Sequence, residues 1–478
     1  MSFASPVFLW YFMPATLLAY WVLPRTWRNG LVAVVSLVFY TWGAGAYTAL
    51  LVSAIAVNFA AGLLIDADRY AERPGLRRTF LWSAVVWDLA MLGIWKYAGF
   101  ASRQIHALSA ALGLGSSPVV SLALPIGISF FTFHHLSYVV DVYRRDRRAQ
   151  RSPVQFVTYI AMFPQLIAGP IVRYREISDQ LADVTRDRFR DFAAGFPRFA
   201  WGLTKKVMIA DTIAPVANAA FATSGGDMTT ASAWLGAIAY TLQLYFDFSG
   251  YSDMAIGLGM MLGFKLPENF DRPYSAVSIT DFWRRWHMSL SRWFRDYLYI
   301  PLGGNRRGTA KTYRNLIIIF VATGFWHGAN WTFLIWGLYH GVWMLIERRT
   351  GWGIVRASGV TLAARRALTF LIVIVGWVFF RADSLSRAGA MLQHMFSASG
   401  GQLPDAVAAA LTNQRAVVLV LALLVVLLPG SFVFGRLLER PTDLRGRISR
   451  VAVAAVAAPC AAALVAVGTF SPFLYYQF

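Results

Sequence analysis

The chain has 478 residues, of which 57% are hydrophobic and 14% charged, and its formal net charge is +20 at pH 7. This composition excludes an ordinary soluble globular protein. The single cysteine, Cys460, excludes disulfides, Cys-pair redox chemistry and a cysteine-ligated metal, and we interpret it as a buried, inert thiol.

Apolar runs long enough to cross a bilayer, about 20 residues each, recur along the chain. The first, at residues 8–23, lacks a basic lead-in and a small-residue cleavage site, so we expect a retained helix and not a signal peptide. The runs are 7–24, 31–65 (two passes), 80–100, 119–142, 153–172, 230–264, 316–346, 367–380, 416–434 and 451–476. They predict an all-α polytopic membrane protein with about ten to thirteen transmembrane or re-entrant helices, in one membrane domain covering residues 1–478.

The basic residues lie between the apolar runs, so the positive-inside rule explains the net charge and no nucleic-acid partner is needed. The basic segments 143–151, 284–314, 347–366 and 436–450 are expected to face the cytoplasm. Segment 382–414 is poor in charge and is expected outside, as is the C-terminus. The chain has no Gly-rich phosphate loop, which argues against an ATP-driven pump or the usual nucleotide-binding enzymes.

A histidine lies in the middle of the run 316–346, in the sequence FWHGANW at residues 325–331. Both flanks are basic, yet the run is too short for two complete passes, so we predict a shortened hairpin that turns at Gly324, Gly328 and Asn330. His327 would then lie at its tip, near mid-depth and facing a central cavity. Two interpretations stay open: a proton-transfer residue, or a histidine hydrogen-bonded between packed helices. His340 is expected to pack against a neighbouring helix.

The segment 280–301, TDFWRRWHMSLSRWFRDYLYIP, has the pattern of one amphipathic helix at the membrane surface. One arc is aromatic and the opposite arc is basic, and His287 lies at their boundary. The aromatic arc comprises Phe282, Trp283, Trp286, Leu290, Trp293, Phe294 and Tyr297, and the basic arc comprises Arg284, Arg285, Arg292 and Arg295. We predict that His287 turns into the cavity of His327. The four arginines would bind either the phosphates of a polyanionic substrate such as coenzyme A or lipid headgroups.

Several other polar residues fall within apolar runs. Asp247 and Asp253 are candidates for lining the acceptor path, with an interhelical hydrogen-bonded carboxylate as the alternative. Asn330 is a candidate for orienting His327 or lining the cavity. Asp88 and Lys96 are expected to pair with other helices.

Three long segments carry a family resemblance. They read YFDFSGYSDMAIGLGMMLGFKLPENFDRPY (245–274), DFWRRWHMSLSRWFRDYLYIPLGGNRRG (281–308) and TGFWHGANWTFLIWGLYHG (323–341). Shorter segments at 124–144, 163–174, 202–211 and 471–478 belong to the same pattern. The chain resembles the membrane-bound O-acyltransferase family, and is most similar to its bacterial branch that O-acetylates alginate and other exopolysaccharides. One departure is His134, where many relatives have glutamine.

The resemblance implies acyl transfer to a hydroxyl group in the bacterial inner membrane, with cytoplasmic acetyl-CoA as donor and no metal or resident cofactor. It assigns catalysis to His327 and the second family position to His287, which would position the donor or stabilise an oxyanion. It also implies a periplasmic or membrane-anchored partner similar to serine esterases and an alginate-like polysaccharide acceptor. The alternatives are D-alanyl transfer to teichoic acid, O-acetylation of peptidoglycan or cellulose and, without chemistry, an acyl or polymer transporter or a scaffold.

Overall fold

The computed structural model describes residues 2–115, 117–183, 187–352, 358–428, 435, 438, 443–468 and 473–474. Within these residues the regular structure is helical, with no strand. The chain divides into two compact units. Unit 1 comprises Met1–Phe196 and Ala255–Pro267, and unit 2 comprises Pro197–Met254 and Glu268–Phe478.

The helices of unit 1 follow the apolar runs of the sequence. They are α1 (Met13–Val22), α2 (Arg28–Ala44), α3 (Thr48–Asp66), α4 (Pro74–Ala111), α5 (Ile128–Tyr143), α6 (Pro153–Ala161), α7 (Phe163–Leu166) and α8 (Tyr174–Ala182). The run 31–65 is divided between two helices: α2 ends at Ala44, and the following Gly45 has a positive φ of 54°, which separates α2 from α3. That the two helices are two membrane passes stays a prediction.

Two apolar runs of unit 1 are not continuous helices. Residues 119–127 of the run 119–142 precede α5 without helical structure, and the run 153–172 breaks at Met162 between α6 and α7. Proline is the physical reason, because it removes a backbone donor and disfavours helical geometry in the residue before it. Pro125 precedes α5, while Pro164 and Pro170 fall within or just after α7.

Buried polar residues of unit 1 pair between helices, as predicted for Asp88 and Lys96. Asp88 on α4 accepts a hydrogen bond from Asn58 on α3 at 2.8 Å, and Lys96 donates to Ser129 on α5 at 3.1 Å. His134 is fully buried in α5, and its Nε2 lies 3.4 Å from the backbone nitrogen of Val172. These hydrogen bonds satisfy part, though not all, of the buried polar atoms of these residues.

Unit 2 contains most of the remaining helices, while the first part of α9 and the end of α11 belong to unit 1. They are α9 (Arg188–Thr204), α10 (Asp211–Ala222), α11 (Thr230–Met261), α12 (Ile279–Trp283), α13 (Met288–Phe294), α14 (Thr309–His327), α15 (Trp331–Thr350), α16 (Gly359–Arg381), α17 (Leu385–Met395), α18 (Asp405–Ala410), α19 (Asn413–Leu427), α20 (Leu444–Ala452) and α21 (Ala458–Val467). The runs 416–434 and 451–476 extend beyond α19 and α21 into residues outside the described ranges.

Three helical stretches among the described residues are long and apolar enough to cross a membrane. They are Arg25–Asp66, Gly359–Arg381 and Leu444–Val467, and Phe8–Val22 and Asn413–Leu427 are shorter apolar helices. Many apolar side chains on these stretches point outward, such as Trp42 and Val467. A surface of this kind is that of a membrane protein. The number of ten to thirteen spans, and the single-domain organisation, stay predictions.

The prediction that Cys460 is buried is wrong, because its thiol lies on an exposed face of α21. Within Leu444–Val467, only 17% of an apolar window of 18 residues is buried in the protein. An apolar neighbourhood in sequence does not separate a side chain that packs inside the protein from one that faces lipid, since both environments are apolar.

Candidate functional site

The segment that carries His327 forms a helical hairpin in unit 2. Helix α14 has 19 residues and ends at His327, and α15 has 20 residues and begins at Trp331. The turn therefore falls at the predicted residues Gly328 and Asn330, but the hairpin is not shortened. Each helix is about 30 Å long, because both extend beyond the apolar run into its polar flanks at Thr309 and Thr350.

Small residues allow the two helices to approach closely. A Cβ at Gly324 would collide with the backbone oxygen of Phe333, and a Cβ at Gly337 would collide with the backbone oxygen of Phe320. Gly328, in the turn, lies directly against the ring of Phe333. Glycine at these positions therefore sets the helix separation, as small residues do between membrane helices, and so sets the position of His327.

His327 lies in an aromatic environment and is 3% exposed. Its imidazole ring contacts Trp326 at 4.8 Å, Trp336 at 4.9 Å and Phe380 at 5.2 Å between ring centroids, in edge-on arrangements. The three rings come from α14, α15 and α16. Packing from three helices fixes the orientation of the imidazole, which is what a proton-transfer residue requires.

The prediction of one continuous amphipathic helix at 280–301 is wrong. The segment is a five-residue helix α12, an irregular stretch, the seven-residue helix α13 and a π-helical turn at Arg295–Tyr299. The break occurs at His287, whose φ of 44° and ψ of 53° are left-handed. Pairing with residues 269–271 replaces helical hydrogen bonds: Asp271 N donates to Arg285 O at 2.9 Å, and Met288 N donates to Asn269 O at 3.0 Å.

The aromatic arc of this segment packs inside the protein and not into lipid, which also corrects the prediction. Phe282 and Leu290 are fully buried, and Trp286 is 1% exposed. Glu347 of α15 fixes the start of α12 by accepting hydrogen bonds from the backbone nitrogens of Ile279 and Thr280. A carboxylate at a helix N-terminus satisfies backbone donors that have no helical partner.

Asn269 holds the ring of His287, which is fully buried. Its Oδ1 lies 3.0 Å from His287 Nδ1 and accepts hydrogen bonds from the backbone nitrogen and the hydroxyl of Ser289 at 3.2 and 2.8 Å. The imidazole also packs edge-on against the ring of Phe248, at 4.8 Å between centroids. Sequence reasoning missed Asn269, although it lies in the quoted segment PENFDRPY.

The structure brings the two predicted histidines to the same side chain. The indole of Trp326 lies 5.9 Å from the ring of His287 and 4.8 Å from the ring of His327, between centroids. The two imidazoles therefore share one aromatic neighbour, while the prediction that both face one cavity stays a prediction. In the sequence, Trp326 is distinguished only by its place in the motif around His327.

A cavity of about 500 Å³ lies beside both histidine-bearing segments of unit 2. Its walls combine arginines with apolar residues. They are Thr280, Trp283, Arg284, Met288, Leu290, Ser291, Arg292, Phe294, Arg295, Tyr299, Leu316, Ile319, Phe320, Thr323 and Met344. Neither His287 nor His327 is among these lining residues. Leu316, Phe320 and Thr323 form the α14 wall, and His327 follows on the same helical face, one turn after Thr323.

Three of the four predicted arginines line this cavity and the fourth does not. Arg284, Arg292 and Arg295 are lining residues. Arg285 binds Asp281 at 2.9 Å and lies 3.7 Å from Asp271, while Arg295, although it lines the cavity, also binds its neighbour Asp296 at 2.7 Å. A basic rim beside apolar walls suits a ligand with phosphates at one end and an apolar chain at the other.

Asp247 and Asp253 form buried ion pairs in unit 2. Asp253 binds Lys205 at 2.5 Å and Arg198 at 3.0 Å. Asp247 binds Lys206 at 2.7 Å and also accepts a hydrogen bond from the backbone nitrogen of Leu474 at 3.0 Å. This arrangement is the interhelical one that the sequence left as an alternative, and neither carboxylate lines the cavity described above.

The same ion pairs identify residues that sequence reasoning missed. Lys206 also binds Asp211 at 2.7 Å, and Arg198 also binds Glu268 at 2.5 Å. Lys205 and Lys206 are adjacent in the quoted segment GLTKKVMIAD. Two lysines within an apolar region could have indicated these ion pairs, since buried cations require acidic partners.

Asn330 and His340 have structural positions. Asn330 caps α15: its side chain accepts a hydrogen bond from Thr332 N at 3.3 Å and donates to Asp383 O at 2.9 Å. His340 is fully buried and stacks on Phe282 at 6.0 Å with an interplanar angle of 9°. The prediction that His340 packs against a neighbouring element is confirmed.

Comparison with known proteins places these features in one family. The model of the membrane-bound O-acyltransferase family, MBOAT, matches residues 126–380. This range includes His287, His327 and every residue that lines the cavity.

Three relatives match over most of the chain. The chain is 44% identical to a probable alginate O-acetylase of Azotobacter vinelandii, over 100% of both chains. It is 46% identical to a probable alginate O-acetylase of Pseudomonas aeruginosa, over 89% of this chain and 80% of the relative. It is 37% identical to a peptidoglycan O-acetyltransferase of Helicobacter pylori, over 84% of this chain and 81% of the relative.

Proposed function

The chain belongs to the membrane-bound O-acyltransferase family, and we propose that this O-acyltransferase takes an acetyl group from cytoplasmic acetyl-CoA and passes it across the bacterial inner membrane to a polysaccharide such as alginate. The protein would be multi-pass, with its basic segments on the cytoplasmic side. The acceptor is proposed from the names of the two alginate O-acetylases at 44% and 46% identity.

One observation supports the donor proposal: the cavity in unit 2 combines arginines with apolar residues, and one of its walls is the face of α14 that also carries His327. Arg284, Arg292 and Arg295 would bind the phosphates of coenzyme A. The apolar wall of Leu316, Phe320 and Thr323 would then direct the pantetheine arm toward the end of the helix. The thioester would arrive near the turn at which the fold holds His327.

The chemistry needs one base at that point. His327 would accept the proton of the attacking hydroxyl as its oxygen bonds to the thioester carbonyl carbon. The carbon–sulfur bond then breaks, and the proton passes to the departing thiolate, so that coenzyme A leaves as the thiol and the acetyl ester remains. The reaction is balanced without an oxidant, a reductant or a covalent bond to the protein.

The final acceptor lies outside the membrane in this proposal. A periplasmic or membrane-anchored protein similar to serine esterases would collect the acetyl group or present the polymer. The peptidoglycan O-acetyltransferase at 37% identity makes the glycan strands of peptidoglycan the second candidate acceptor.

The test is the acetyl-ester content of the polymer and of peptidoglycan from cells whose only copy of this protein carries His327→Gln. We expect the ester on the polymer to fall at least as far as the ~10²–10⁴-fold rate contribution of a general base. His394→Gln is the matched control, because His394 bonds to Ser399 at 3.0 Å and lies outside the cavity. Wild-type ester levels with His327→Gln would contradict the proposal. A loss of acetyl ester from peptidoglycan alone would show that the acceptor is peptidoglycan and not alginate.

A further inference from the structure

Asn269 is buried and makes its hydrogen bonds with both ends of its amide group. Its Nδ2 donates to the hydroxyl of Ser252 at 3.2 Å. Its Oδ1 accepts hydrogen bonds from the backbone nitrogen of Ser289 at 3.2 Å and from the hydroxyl of the same residue at 2.8 Å. His287 Nδ1 lies 3.0 Å from this oxygen.

The backbone nitrogen of Ser289 determines the orientation of the amide. A backbone N–H can only donate, so the atom of Asn269 that faces it must be the oxygen. The reversed amide would place its NH₂ group against this N–H, with two donors facing each other. The orientation of the amide therefore follows from the chemistry of the backbone N–H group.

The tautomer of His287 follows from this orientation. An amide oxygen has no proton to donate, so the hydrogen bond at 3.0 Å requires a proton on Nδ1 of the imidazole. Complete burial among aromatic rings disfavours the imidazolium cation, so the ring is neutral. In a neutral imidazole with a proton on Nδ1, the other nitrogen, Nε2, is the basic one.

We propose that Asn269 is a positioning residue that holds His287 as the Nδ1–H tautomer, so that in acyl transfer the Nε2 atom of His287 can accept a hydrogen bond but cannot donate one to an oxyanion. The inference rests on the proposed function, because it names what His287 does in acyl transfer. It excludes one of the two roles that the sequence resemblance left open for this residue.

The backbone around His287 supports a held, pre-organised ring. The left-handed conformation of His287 is costly for a residue with a side chain. Met288, the residue after His287, donates a backbone hydrogen bond to Asn269 O at 3.0 Å, and this bond stabilises the left-handed conformation of His287. Asn269 thus binds the segment through its backbone and the imidazole through its side chain, so both are fixed by one residue.

Nitrogen-15 NMR of the histidine-labelled protein in lipid nanodiscs tests the tautomer without any assay of activity. The His287 signals are identified by their loss in His287→Gln. We expect a protonated Nδ1 and an unprotonated Nε2 in the wild-type protein. A proton on Nε2 with none on Nδ1 would overturn the proposal.

Two substitutions test the role of Asn269 in turnover. Asn269→Leu removes the oxygen, and we expect protons on either ring nitrogen and a fall in kcat of up to about 100-fold through misplacement of the ring. Asn269→Asp keeps an oxygen acceptor, and we expect it to retain a proton on Nδ1 and more activity than the leucine variant. Equal activity of Asn269→Leu and the wild-type protein would overturn the proposal.

Asn315→Leu is the control for the loss of a buried asparagine. Asn315 is also fully buried, but it donates its hydrogen bond to the backbone oxygen of Gly304, at 3.0 Å, and not to His287. We expect its His287 spectrum to match that of the wild-type protein, and an altered tautomer there would count against a specific role of Asn269. A wild-type protein that transfers no acetyl group would refute the proposed function, whereas the NMR result would still decide the tautomer.

Discussion

At the scale of single residues, the arginines of the segment 279–299 divide into two groups. Arg284, Arg292 and Arg295 line the cavity, whereas Arg285 is paired with Asp281 at 2.9 Å. The sequence treats all four alike because they share one helical arc at regular spacing. The broken backbone separates the two groups by placing three of the arginines at the cavity wall. An acidic neighbour does not separate them, since Arg295 also binds Asp296 at 2.7 Å.

This division leads to a prediction for the triple variant Arg284→Gln, Arg292→Gln and Arg295→Gln. Each exposed ion pair with a ligand phosphate contributes about 0.2–1 kcal/mol. The triple variant should therefore bind acetyl-CoA about threefold to 140-fold more weakly, with a smaller dependence on salt concentration. Binding is measured in nanodiscs of fixed lipid composition over a salt series.

Arg285→Gln is the matched control for the triple variant, because it removes the same charge from the same segment but outside the cavity wall. It should leave the affinity and its salt dependence close to wild type. If the triple variant binds the donor as the wild-type protein does, the three arginines serve lipid headgroups and not the substrate.

At the scale of elements, the hairpin of α14 and α15 positions His327 through the close approach of its helices. Gly337→Ala should force the helices apart, because the new Cβ meets the backbone oxygen of Phe320, which cannot move alone. We expect a cost of about 1–3 kcal/mol and a loss of acetyl transfer. Thermal unfolding in detergent, together with the transfer assay, measures both effects.

Gly389→Ala is the matched control in the same unit, since a Cβ there meets nothing within 4 Å on helix α17. Alanine is favoured over glycine in a helix by about 0.5–1 kcal/mol, so this variant should be as stable as the wild-type protein or more so. A Gly337→Ala protein with unchanged stability and activity would refute the role of close helix packing.

The elements also show what the sequence can and cannot predict. The turn at Gly328 was predictable because glycine and basic flanks mark it locally. The break at His287 was not, because the aromatic and basic arcs over 280–301 fit a continuous helix. The break depends on pairing with Asn269 and Asp271, which are distant in sequence. The inward packing of Phe282 was also hidden, since an apolar arc suits lipid and protein interior equally.

At the scale of the whole molecule, composition and run length correctly predict an all-helical membrane protein, and α2, α3, α11 and α16 lie where apolar runs occur. The ion pairs of unit 2 were not predictable residue by residue. Asp247 and Asp253 stand out in an apolar run, yet their partners Lys206 and Lys205 lie on another segment. Spacing along one helix does not reveal which element a buried carboxylate meets.

The central claim is that His327 is the base for acyl transfer from a thioester that binds in the cavity of unit 2. The most direct measurement is the release of coenzyme A thiol from acetyl-CoA by purified protein in nanodiscs, with the acceptor polysaccharide and its partner protein supplied, for the wild-type protein and His327→Ala. We predict acceptor-dependent release by the wild-type protein and a rate lower by about 10²–10⁴-fold in the variant, with donor affinity nearly unchanged. Equal rates in a folded His327→Ala protein would contradict the account.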